Sequence, residues 1–272
     1  MIAVIEALAI LAAGFWAGMI NVVVGSGTLV TFPTLLFFGY PPLVANISNN
    51  IGLVGGGITG TLGYRRELAE HGPALRRLLP ASLAGGLTGA ALLLVLPDSA
   101  FRAIVPVLIG LGLVMVIWGP ALQRHVKDHR PAFSQNPDDR KAMPKPGIAV
   151  RSQHSLALTI GIYVLGIYGG YFGAAQGVLI IGWMSMITAT SLQSITALKN
   201  LLTTGVNAIA AITFMIVAWD SVDWKAAGLI AVGATLGGIA GARFGRKLSP
   251  VVMRTMIVSV GLVAIGKLVL FP

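Results

Sequence analysis

The spacing of apolar stretches along this chain constrains its fold more than any other feature. Ten segments with almost no charge follow one another, at about residues 2–24, 28–40, 42–64, 74–96, 99–121, 154–176, 178–191, 194–219, 225–248 and 250–270. About 20 apolar residues in a helix cross the ~30 Å hydrocarbon layer of a bilayer, and most of these segments meet that length. A spanning segment must satisfy its own backbone hydrogen bonds, which favours helices over isolated strands. Composition agrees: only 10% of the 272 residues are charged, against ~25% in soluble domains, too little polar surface for a water-soluble particle. The expected class is an all-α polytopic membrane protein. The 35 glycines fit that class, because small residues let membrane helices approach closely. Residues 1–24 lack a basic leader and a small-residue cleavage site, so they are predicted to be the first membrane helix and not a removable signal peptide.

The second and seventh segments are short. At roughly 13 residues they are predicted to be broken or re-entrant, and non-helical backbone at membrane depth is tolerated where it lines a watered cavity or is buried in protein. The charged, proline-containing stretch 122–153 cannot enter the bilayer and divides the chain. The predicted organisation is a first transmembrane repeat over 1–121, a linker over 122–153 and a second repeat over 154–272, each repeat with about five helical segments. A shift of 152 residues lays Gly14, Gly18, Gly25 and Ala45 on Gly166, Gly170, Gly177 and Ala197 without a gap, and Gly85, Gly86 and Gly89 on Gly237, Gly238 and Gly241.

The net charge of +10 reads as membrane orientation and not as a nucleic-acid surface. Fifteen of the 19 Lys and Arg fall in three stretches, 64–77, 122–153 and 243–254. Short cytoplasmic loops are enriched in these residues. The intervening connections carry Asp98, Asp220 and Asp223. The loop after the third segment of the first repeat is therefore predicted to be cytoplasmic, and its counterpart in the second repeat external. The two repeats are expected to have inverted topology in the plasma (inner) membrane, with both termini outside and the linker cytoplasmic. Inverted repeats underlie many secondary transporters.

Polar groups inside apolar spans are costly and therefore candidates for function. The first repeat offers Asn21, Gly25, Ser26, Gly27 and Thr28 at its first break, then Asn46, Ser48, Asn49 and Asn50. The second offers Gln176, Gly177, Lys199, Asn200, Thr203, Thr204 and Asn207. Lys199 is a basic residue deep in an apolar segment, and the central spans hold no Asp or Glu. In one reading the missing counter-charge is an anionic substrate, held by Lys199, amide side chains and backbone N–H groups at the breaks, where helix N-termini carry partial positive charge. In the other, Lys199 snorkels to the headgroups and the asparagines bond neighbouring helices. The glycine pairs Gly85/Gly89, Gly237/Gly241 and Gly14/Gly18 are assigned to helix packing. His71, His125, His129 and His154 lie in loops or at membrane edges without metal-ligand spacing, and the chain has no cysteine, so neither a metal nor any other cofactor is expected.

The run from Gly25-Ser26-Gly27-Thr28 through Pro33, Gly39, Pro41 and Ala45-Asn46 resembles the first-half signature of the TauE/SafE sulfite exporter family. Gly166 to Gly177, followed by Thr196-Ala197-Leu198-Lys199-Asn200, resembles its second copy. The family's usual glycine triplet is reduced here to Gly25-Ser26-Gly27, and the second copy has Ala174-Ala175-Gln176-Gly177. The resemblance spans essentially the whole chain and implies transport of sulfite, an organosulfonate or a related small anion, with a proton or sodium as candidate coupling ion and the lipid bilayer as surroundings. A passive anion channel and a carrier of a non-sulfur anion are the alternatives. An intramembrane hydrolase would need a His or paired Asp residues within the spans, which the sequence lacks.

Overall fold

The computed structural model describes residues 3–128, 154–188, 190–245 and 250–270. Eleven α-helices make up this structure: α1 (Val4–Val23), α2 (Thr28–Phe37), α3 (Pro42–Gly63), α4 (Arg65–Ala69), α5 (Gly72–Val95), α6 (Asp98–Asp128), α7 (His154–Tyr171), α8 (Gln176–Ile187), α9 (Leu192–Val217), α10 (Trp224–Phe244) and α11 (Pro250–Leu270). A 3₁₀ turn, Trp219–Ser221, precedes α10, and no strand occurs among the described residues. The chain is an all-α polytopic membrane protein: α1, α5, α9, α10 and residues 99–119 of α6 are long and apolar enough to cross a bilayer. Large apolar side chains such as Val107, Leu156, Ile216, Val232 and Val251 stay exposed on the bundle's outside, as a lipid-facing surface requires.

Most predicted segments lie within a turn of the observed helices. The short second segment of each half is shorter still, 10 residues in α2 and 12 in α8, or about 15 and 18 Å of rise. The sixth segment ends at Tyr171, well before residue 176. Helix α6 continues to Asp128, so the charged stretch expected to begin at 122 starts helical; its remainder, 129–153, lies outside the described residues. The loop over 65–77 folds as the short α4 followed by the first turns of α5.

Shifted by 152 residues, α1, α2, α3, α5 and α6 fall on α7, α8, α9, α10 and α11, with starts agreeing to about one turn. Packing follows the same correspondence with partners exchanged between halves. Helix α1 packs most extensively on α10 and α7 on α5, α2 meets α11 and α8 meets α6, and α3 crosses α9. Glycine makes the exchanged contacts possible. A Cβ on Gly18 would lie 2.2 Å from the Ala234 carbonyl oxygen, and one on Gly89 would lie 2.0 Å from that of Ile167. The glycines assigned to packing from sequence therefore sit where two helix backbones touch.

The two ends of α3 distinguish the faces of the bundle. Near its start, the Asp223 N–H donates to Ser48 Oγ at 2.9 Å, and the Tyr40 hydroxyl donates to the Glu6 carboxylate at 3.0 Å. At its far end, Gly63 is packed so tightly against Ala242 that an added Cβ would lie 2.3 Å from the Ala242 Cβ. Asp223, Glu6 and Tyr40 thus collect at one end, and exposed Arg65, Arg66 and Arg243 at the other.

Candidate functional site

The site is built where the first helix of each half stops. Helix α1 closes at Val23, and its last carbonyls need partners from elsewhere. Gly25 adopts φ +88°, its N–H returning to the Ile20 carbonyl at 3.0 Å. Such a left-handed glycine is a common helix terminator because it has no Cβ to clash. The second half stops with Gly173 (φ +76°), whose N–H reaches the Tyr168 carbonyl at 3.0 Å, and continues through Ala175 in the left-handed region at φ +59°.

The two breaks meet. The Gly177 N–H donates to the Gly25 carbonyl at 3.0 Å, joining the start of α8 to the end of α1. A Cβ on either glycine would lie 2.6 Å from the other's Cα, so the contact requires glycine on both sides.

Lys199 lies against this junction. It is completely buried in α9, and its Cδ would be 2.8 Å from a Cβ on Gly177 and 3.3 Å from one on Gly25. Its Nζ donates to the Asn21 carbonyl at 2.8 Å and the Val22 carbonyl at 3.0 Å. These belong to the last turn of α1, where a basic group complements the negative end of the helix. Burial at 0% exposure is incompatible with the snorkelling alternative, and among the described residues no carboxylate pairs with Lys199. Asn46 performs the corresponding task in the other half: its Nδ2 donates to the Tyr171 carbonyl at 3.0 Å, at the end of α7. Each half's third helix therefore caps the first helix of the other half, with an amine in one case and an amide in the other.

Other predicted residues fall into two groups. Beside Asn46, the Asn49 Oδ1 accepts from the Thr31 hydroxyl of α2 and Ser48 holds the start of α10. Beside Lys199, the Thr203 hydroxyl donates to the Lys199 carbonyl at 2.9 Å, while the hydroxyl of Thr204 donates to the Asn200 carbonyl and lies 3.1 Å from that of Thr61. Gln176 turns back on α7, its Nε2 donating to the Leu165 carbonyl at 3.0 Å. No side-chain hydrogen bond among the described residues joins the two groups; the Gly25/Gly177 contact and the crossing of α3 with α9 connect them. Thr28 and Asn207 are buried, and Asn21 enters through its carbonyl. Ser26 Oγ, Asn50 Oδ1 and Asn200 Nδ2 are buried without a hydrogen-bond partner, a cost of about 1–3 kcal/mol each unless a ligand or water supplies the bond. Sequence reasoning missed Thr31 and Thr61, ordinary threonines in apolar helices whose value depends on partners 18 and 143 residues away.

Residues 10–268 match the family described as Sulfite exporter TauE/SafE. The chain belongs to that family. Similar proteins include a Sinorhizobium protein named "Probable membrane transporter protein ORF9", 27% identical and covering 96% of this chain and 91% of its own. A Haemophilus influenzae protein named "Probable membrane transporter protein" is 25% identical over 97% of this chain and 95% of its own. An Escherichia coli K12 protein named "Probable membrane transporter protein YfcA" is 25% identical, with coverages of 93% of this chain and 85% of its own. No solved structure matches the chain. As a TauE/SafE member with relatives of this description, the protein is a membrane transporter.

Proposed function

We propose that this protein is a secondary transporter that moves a small anion across the plasma membrane by alternating access between two inverted repeats. The observation that carries this reading is the junction of the two helix breaks at Gly25 and Gly177, packed against a buried lysine with no carboxylate beside it. Broken helices at a repeat interface are where secondary transporters hold substrate. Helix ends that present amides, amide side chains and a basic residue favour an anion over a cation. The family's description as a sulfite exporter supports sulfite, an organosulfonate or a related sulfur-containing anion as the finer class, and the driving force in this proposal is a proton or sodium gradient.

The exchanged packing of α1 with α10 and α7 with α5 supports an inverted pair, because each half would rock against helices of the other. The end carrying Arg65, Arg66 and Arg243 is assigned to the cytoplasm and the end carrying Glu6, Asp220 and Asp223 to the outside. Proteoliposomes loaded with sulfite test the reading. A carrier gives saturable uptake of labelled sulfite that accelerates with sulfite on the far side, and competition by thiosulfate and sulfoacetate exceeds that by acetate. Ohmic single-channel currents would replace the carrier by a pore, and equal competition by acetate would remove the sulfur class.

A further inference from the structure

The starts of α2 and α8 occupy corresponding places in the helix order, and each follows a turn that ends a preceding helix. In α8 the N–H groups of Gln176, Gly177, Val178 and Leu179 all have acceptors: the carbonyls of Gly173 at 3.3 Å, Gly25 at 3.0 Å, and Ala175 at 3.0 and 3.2 Å. In α2 the N–H groups of Leu29, Val30 and Thr31 return to the carbonyls of Ser26 and Gly27. The three preceding amides, of Ser26, Gly27 and Thr28, donate to no described residue. All three residues are buried. The Ser26 hydroxyl, on a residue only 1% exposed, is likewise unpartnered. A second donor without a partner, Asn200 Nδ2, lies on α9 next to the lysine whose methylenes touch the Gly25 turn.

We propose that the start of α2 is the oxyanion subsite of this transporter, and that it takes the three-oxygen face of a sulfite or sulfonate group. The inference rests on the transport reading above and deepens it. Left-handed Gly25 ends α1 and right-handed Gly27 caps the start of α2, so the amides of Ser26, Gly27 and Thr28 are the first N–H groups of a helix start, which have no intrahelical acceptor and form a common anion site. The partial positive charge at the N-terminus of the ten-residue α2 adds to them. Three amides and a hydroxyl match an acceptor group with several oxygens better than one with a single oxygen. The first amide of α8, that of Gln176, is by contrast occupied by the Gly173 carbonyl. Lys199 is a positioning residue in this arrangement: its Nζ holds the carbonyls of Asn21 and Val22 and so fixes the turn that presents the amides.

Two variants test the subsite through the anion concentration at half-saturation, read both by labelled uptake in proteoliposomes and by the sulfite-dependent rise in melting temperature of the purified protein. Ser26→Ala removes one donor from the subsite and leaves the amides, and is expected to raise the half-saturating sulfite concentration about tenfold, the loss of roughly one hydrogen bond. Ser26→Asp places a carboxylate among the amides. It is expected to abolish saturable uptake and the sulfite-dependent thermal shift, while the melting temperature without sulfite stays at or above that of the wild type. A purely structural role for Ser26 gives the opposite pattern, with lower melting temperatures and unchanged half-saturation. Wild-type half-saturation in both variants would overturn the subsite and leave the transport reading standing. A wild-type protein that moves no anion would overturn both.

Discussion

The contact between Gly25 and Gly177 allows a calculable perturbation. In Gly177→Ala the new Cβ would be 2.6 Å from Gly25 Cα, 2.8 Å from Lys199 Cδ and 2.9 Å from the Gly25 oxygen. Carbon atoms without a bond between them rest at ~3.5–4.0 Å, so the two breaks must separate by about 1 Å. The Gly177 N–H to Gly25 carbonyl bond, now 3.0 Å, would then exceed hydrogen-bonding distance. Overpacking costs about 1–3 kcal/mol and the lost bond about 1 kcal/mol, together roughly 2–4 kcal/mol. At about 2–4 °C per kcal/mol for a protein of this size, the melting temperature should fall by about 5–15 °C. Thermal unfolding of the detergent-purified protein reads this directly. Gly182→Ala on the same helix is the control, because a Cβ there meets no atom within 4 Å and alanine favours the helix by up to about 1 kcal/mol. Equal melting temperatures for the two variants would refute the claim that the breaks are in contact.

Two further outcomes follow from the same geometry. Lys199→Met keeps an unbranched chain but leaves the Asn21 and Val22 carbonyls without their donor; it should cost about 2–4 kcal/mol of stability and lower the maximal uptake rate. Half-saturation should move less than in Ser26→Ala, and a larger rise in half-saturation would make Lys199 a direct anion ligand. The chain contains no cysteine, so single cysteines report sidedness without background. A membrane-impermeant maleimide added to right-side-out vesicles should label Trp219→Cys and spare Glu70→Cys, and the reverse would invert the assigned orientation.

Apolar periodicity and the 152-residue shift made the helix order legible, because segment length and glycine position are local properties that the bilayer reads directly. The early end of α7 at Tyr171 was not legible. It depends on Gly173 and on Ala175 in the left-handed region, which non-glycine residues enter at a cost of about 1–2 kcal/mol per residue. Sequence identified Lys199 as anomalous for the right reason, its isolation from carboxylates. Its partners are carbonyls 177 and 178 residues away, and every residue type offers a carbonyl, so no pattern could name them. The unengaged amides of Ser26, Gly27 and Thr28 were hidden for a similar reason: which backbone amides find acceptors is a property of the turn and not of the residue types.

The exchange of helices between halves has a consequence for how the protein is made. Gly18 packs on Ala234, so α1 leaves the ribosome long before the surface it will cover exists. At synthesis rates of about 5–20 residues per second, the intervening chain takes about 10–40 s to appear. During that interval the glycine face of α1 has only lipid, or the insertion machinery, against it. Neither half can complete its own packing before the other is present. Separately expressed halves should therefore be degraded when alone and recovered when produced together, which makes the two halves a single unit of assembly.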